Sequence, residues 1–159
     1  MKENKICSFF GHRVIPITKE LYATTTAEIL KALDLGCRIF YFGGYGDFDF
    51  LCYQIVTKFK ESSPELAIKR IYCVPQERYL QKDSRHFNRS DYDEIIYLSP
   101  YFQGWYKSIY FRNCAMIDDS FYVIFYVEPR EDSGAYKTYK YALKKKTKRI
   151  INLCTKTDK

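Results

Sequence analysis

The chain has 159 residues, 47% of them hydrophobic, about the length of one ordinary domain and apolar enough to bury a core without disulfides or metal staples. Its six cysteines stand singly with no C-x-x-C pair, so neither a zinc site nor a disulfide framework is indicated, and the thiols read as reduced core residues of a cytoplasmic protein. The net charge of +7 favours phosphorylated or polyanionic partners without choosing among them, while the longest apolar run, FYVIFYV at 121–127, is far short of the roughly 20 residues that span a membrane.

In chain order, the charged start at 1–5 and the interruption of the next apolar run by His12 and Arg13 leave no room for a secretory leader. KICSFF (5–10) reads as a first strand. Thr18 is placed to cap a helix whose Leu21, Thr25, Ile29 and Leu33 recur four apart, with Gly36 where its C-terminus needs it. RIFYF (38–42) is a second strand, and from Asp47 the set Phe48, Leu51, Cys52, Ile55, Val56 and Phe59 follows the helical period. IKRIYCV (68–74) and EIIYL (94–98) are further strands. Between them, residues 76–93 carry neither period and read as a lid or an insertion. Weaker helical periods run from Trp105 to Ile117 and from Gly134 to Lys146, flanking the strand FYVIFYV; RIINL (149–153) closes the series. The basic run KKKTKR at 144–149 reads as a solvated helix end.

Most of these strands are apolar at successive positions, as expected where helices cover both faces of a parallel sheet. The prediction is a single α/β domain over 1–154, doubly wound on a mainly parallel sheet of about six strands, followed by a short flexible tail at 155–159. Ligands of such sheets lie beyond the carboxyl ends of the strands, where helix N-termini converge. Three segments reach that edge: Gly11, His12 and Arg13 after strand one; Gly43 to Asp49 after strand two; and 128–137 after strand five, with Ser133 and Gly134 opening a helix.

The glycines Gly43, Gly44 and Gly46 can supply positive φ for a tight turn with Asp47 as helix cap, yet three in four positions also present backbone N–H groups as an anion nest around Tyr45. Arg13 is read as a phosphate ligand with His12 as its support. Arg112, flanked by apolar residues, either faces a ligand or pairs with Asp118 or Asp119. Ser133 and Gly134 either bind an anion or simply cap. The aromatic run YFQGWYKSIYF (101–111) suits core or subunit contact, such as a homodimer, better than base stacking. No cofactor or metal site is indicated.

The segments CSFFGHR, YFGGYGDFD, FRNCAMID and SGAYKTYKYALKKKTKRIINL, in this order and spacing, resemble the SLOG superfamily, the Rossmann-like proteins related to the Lonely Guy phosphoribohydrolases and to DprA, and within it the small YpsA-like proteins. The resemblance implies a Rossmann-like fold with a nucleotide-binding crevice, and a role in sensing or sequestering a nucleotide-derived ligand. Residue by residue, Gly43, Gly44 and Gly46 match the family's glycine turn, and Arg112 with Met116 matches the R-x-x-x-M element. The hydrolase turn P-G-G-x-G-T-x-x-E fails at its end, for its glutamate falls on Phe50, which has no ionisable group. The alternatives are a Lonely Guy-type N-glycosidic hydrolase using Asp47 or Asp49, and a single-stranded nucleic-acid binder of DprA type.

Overall fold

A computed structural model describes residues 4–81, 87–98, 105–130 and 133–154, with residues 105 and 106 described by backbone alone. The predicted tail, residues 82–86 of the aperiodic segment and positions 101–104 of the aromatic run lie outside the described residues. The order is β1 (Lys5–Gly11), α1 (Lys19–Asp34), β2 (Cys37–Phe42), α2 (Asp47–Ser62), β3 (Lys69–Val74), β4 (Glu94–Tyr97), α3 (Trp105–Asp119), β5 (Tyr122–Tyr126), α4 (Gly134–Leu143) and β6 (Arg149–Asn152).

The six strands form one all-parallel sheet in the order β4-β3-β2-β1-β5-β6. The chain steps outward from β1 to β4 and then returns to the other side of β1, so direction reverses between β1 and β5. Helices α1 and α2 cover one face, packing Leu21, Ile29, Leu33, Phe48, Leu51 and Ile55 on Cys7, Phe9, Phe40, Phe42 and Ile124. Helices α3 and α4 cover the other, where Met116, Ile117 and Ala142 meet Phe10, Tyr41, Ile71, Val123 and Phe125. This is the doubly wound architecture expected from the sequence, with β5 buried along its whole length.

Local signals explain most boundaries. Thr18 caps α1, its Oγ1 accepting from the Leu21 N–H at 3.0 Å, and Gly36 follows the helix with φ 105°. Helix α4 stops at Leu143, three residues short of its sequence pattern, because the chain must reverse into β6. Lys148 Nζ donates to the Asp118 carbonyl, Lys145 pairs with the Asp118 carboxylate at 3.3 Å, and the basic run becomes a turn at the end of the sheet opposite the strands' carboxyl ends. Among its described residues the β3–β4 connection holds two short 3-10 turns, Glu77–Leu80 and Arg89–Asp91. Its Phe87 is buried and stacked on Tyr72 with ring centroids 4.1 Å apart, so an apolar anchor lies inside a segment without a readable period. All six cysteines are free. Cys7, Cys37 and Cys52 belong to the α1–α2 layer and Cys73 to the α3–α4 layer.

Candidate functional site

A cleft of about 630 Å³ opens at the carboxyl ends of β1, β2 and β5, at the point where strand order reverses. The loop after β1 contributes Gly11, His12 and Arg13; the turn after β2 contributes Gly43 and Tyr45, and α2 contributes Asp49. Helix α3 brings Arg112 and Asn113, and the segment after β5 brings Arg130, Ser133 and Gly134. The three segments singled out in the sequence thus meet at one edge, with Arg112 between them.

Arg112 is 6% exposed. Its Nη1 donates to the carbonyls of Gly43 (3.4 Å) and Cys73 (3.2 Å), while Nε and Nη2 donate to Asn113 Oδ1 at 3.2 and 3.0 Å. The ion pair considered from the sequence does not form: Asp118 is taken by Lys145 and the Tyr141 hydroxyl, and Asp119 accepts from the Tyr41 hydroxyl. Among the described residues Arg112 makes no ion pair. Among the described residues its hydrogen bonds go to neutral oxygens, so the guanidinium can still attract an anion, with the Asp49 carboxyl acting on it across the Gly43 peptide.

The glycine turn differs from its sequence reading in three respects. Only Gly44 (φ 68°) and Gly46 (φ 98°) need the left-handed region. Gly43 leaves room for Arg112 instead, since a Cβ there would lie 2.8 Å from Arg112 Nη2. Asp47 does not cap its helix: Gly46 is the N-cap, and the Asp47 carboxylate reaches across to accept from the Ile15 N–H at 3.1 Å. Finally, the amides offered to an external anion already hold an internal one. Asp49, at the third helical position, folds back so that Oδ1 accepts from Gly43 N–H at 3.2 Å and Oδ2 from Gly44 N–H at 3.0 Å. Burial pushes the Asp49 carboxyl up to about 7, against the opposing pull of those two amides and of Arg112.

His12 ties the loop after β1 to the segment after β5, and among the described residues its hydrogen bonds do not reach Arg13. Its Nε2 accepts from the Glu128 N–H at 2.8 Å, which places the neutral ring's proton on Nδ1, 3.4 Å from Ser133 Oγ. Burial lowers its pKa, the neighbouring Arg130 adding to the effect. Ser133 Oγ also accepts from the Tyr136 N–H at 3.2 Å and caps α4. Arg13 is exposed at the rim, its guanidinium 4.9 Å from the centre of the Tyr45 ring.

Met116 lies in the α3–α4 core at 0% exposure and does not line the cleft. Gly44, Gly46 and Asp47 build the turn without lining it. Phe50 is 61% exposed on the outside of α2. Sequence reading missed Tyr72, Asn113 and Arg130 in the lining. Asn113 could have been found, as the residue next to a buried arginine that must satisfy its donors; Tyr72 gives no local signal, since it reads as any other strand residue.

No family model and no curated protein matches the chain. Solved structures do. DNA processing protein A (DprA) from Streptococcus pneumoniae aligns with a TM-score of 0.60 at 15% identity, over 93% of this chain and 49% of that one. The fold is shared with the aligned part of DprA. A second match, DNA processing protein A from Helicobacter pylori, gives a TM-score of 0.61 at 16% identity over 92% of this chain and 64% of that one, and that structure is described by its single-stranded DNA binding mode. This chain therefore spans about half of one DprA and just under two thirds of the other. The likeness shows the Rossmann-like fold that was expected from the sequence.

Proposed function

We propose that this chain binds a phosphate-bearing, nucleotide-derived ligand in the cleft, acting as a sensing or sequestering protein of the YpsA-like SLOG branch. The observation that carries the reading is Arg112: a buried guanidinium on the cleft wall, without an ion pair among the described residues, at a topological switch point. Arg13 and the α4 N-terminus at Ser133 and Gly134 flank it, and the helix dipole favours the same sign of ligand charge. Asp47 and Asp49, the two carboxylates a hydrolase would need, both hold backbone amides in place, which fits binding better than turnover. Release of free base from nucleoside monophosphates, lost in Asp49→Asn, would establish the hydrolase instead.

Mass spectrometry of small molecules released on heat denaturation of the purified protein tests the reading and identifies the ligand. Arg112→Ala should then weaken binding of a nucleoside monophosphate by ~1.5–3 kcal/mol, the range for a hydrogen bond to a charged group. An unchanged affinity with a lowered melting temperature would make Arg112 a structural residue only.

Single-stranded DNA is the second reading. It is favoured by the DprA fold and by the Arg13–Tyr45 stack at the rim, which suits a base passing over the cleft. The basic run at 144–149, however, sits at the opposite end of the sheet. Steep salt dependence of oligonucleotide binding would support this reading.

A further inference from the structure

The peptide unit around Gly43 is gripped from two sides. The Gly43 N–H donates to Asp49 while the Gly43 carbonyl accepts from Arg112. Both side chains are buried, at 8% and 6% exposure, and both line the cleft. The site thus carries its own negative charge next to its buried positive one. An anion drawn to Arg112 arrives beside that carboxylate, in surroundings where like charges repel far more strongly than in water. Asp49 cannot turn away without surrendering the Gly43 and Gly44 amides and loosening the turn. It can be neutralised where it stands, since a protonated carboxyl still offers an acceptor oxygen.

We infer, resting on the anion reading of this same cleft, that it takes up a phosphate-type dianion together with one proton, which is delivered to Asp49. The proton comes from solvent and forms an O–H bond on one carboxyl oxygen; no covalent bond to the ligand is made or broken. The other groups facing Asp49 do not compete for it. Cys52 on α2, Tyr72 and Cys73 on β3, and Tyr92 before β4 are all shifted upward by burial, Tyr72 to about 12, and stay neutral through the physiological range. Arg112 on α3 faces the turn from the other side of the Gly43 peptide. At the same cleft, His12 is shifted downward by burial and by the neighbouring Arg130. Burial pushes the Asp49 carboxyl up to about 7, so its charge can change near neutrality.

Sulfate is the suitable probe, because it stays a dianion where phosphate esters titrate, near pH 6. Binding is followed by the Gly43 and Gly44 amide resonances at matched ionic strength from about pH 5.5 to about pH 8.5, and the Asp49 carboxyl is titrated with and without sulfate. The expected result is an affinity that is flat below the Asp49 titration and falls by about tenfold per pH unit above it, with sulfate raising the Asp49 pKa. Asp49→Asn should bind sulfate with no such slope. Sulfate binding in the wild type that is independent of pH, yet abolished by Arg112→Ala, overturns proton uptake and leaves the anion reading intact. A slope that persists in Asp49→Asn also overturns it. Absence of sulfate binding at every pH overturns the anion reading and this inference together. If Asp49→Asn does not fold, the carboxyl titration in the wild type decides alone.

Discussion

Gly43 and Gly134 both line the cleft, but a methyl group would meet very different surroundings at the two positions. At Gly43 it would press on the Arg112 guanidinium at 2.8 Å, whereas at Gly134 it would find no atom within 4 Å. Neither residue has positive φ, so alanine is tolerated by the backbone at both. Gly43→Ala should therefore displace Arg112 and weaken nucleoside monophosphate binding by roughly tenfold or more, the worth of a charged hydrogen bond. Gly134→Ala should leave binding unchanged and stability equal or raised by up to about 1 kcal/mol, as alanine replaces glycine at a helix start. Calorimetric titration and thermal melting read both; equal affinity losses in the two variants would remove Arg112 from the explanation. The need for glycines in this turn was legible in the sequence, yet the reason at Gly43 was not, because its neighbour comes from a helix 69 residues away. Asp49 was legible as a candidate but not in its actual role. A carboxylate at the third helical position after a glycine N-cap is the signature of a side chain that folds back onto the preceding amides.

At the level of elements, the end of β1, the end of β5 and the start of α4 are fastened through one imidazole. His12 accepts from the Glu128 amide and faces Ser133, and Ser133 in turn caps α4. Removing the hydroxyl leaves the Tyr136 N–H without its acceptor. Ser133→Ala should then reduce stability by about 1 kcal/mol in denaturant unfolding, with Ser133→Asp, which restores an acceptor, recovering most of it. Recovery failing in the aspartate variant would shift the role from capping to the contact with His12. Helices α1 and α2 were readable because each carries a complete apolar stripe facing one sheet. The early stop of α4 was not, since lysine propagates a helix well and only the tertiary ties of Lys145 and Lys148 to Asp118 turn the chain. The β3–β4 connection escaped for a related reason: Phe87, Tyr79, Leu80 and Tyr92 anchor it at irregular spacing, and irregularly spaced apolar residues have no period.

Across the whole molecule, the parallel order with its reversal between β1 and β5 sets the cleft where helix N-termini and strand ends converge, and sends the lysine-rich turn to the far end. Basic residues thus stand at both ends of the sheet, Arg13 and Arg112 at the cleft and Lys145 and Lys148 at the far end, which a composition cannot reveal. Another distribution across the fold provides a ready-made clock of its opening. Cys7, Cys37 and Cys52 lie under α1 and α2, and Cys73 under α3 and α4, all shielded and all held as thiols by burial that raises their pKa. An alkylating reagent reaches them only when the layer above lifts. If the two layers open as one cooperative unit, mass spectrometry should find these four thiols labelled at a common rate. A layer that lifts alone would give its cysteines away first, and a ligand seated between α2 and α3 would slow both.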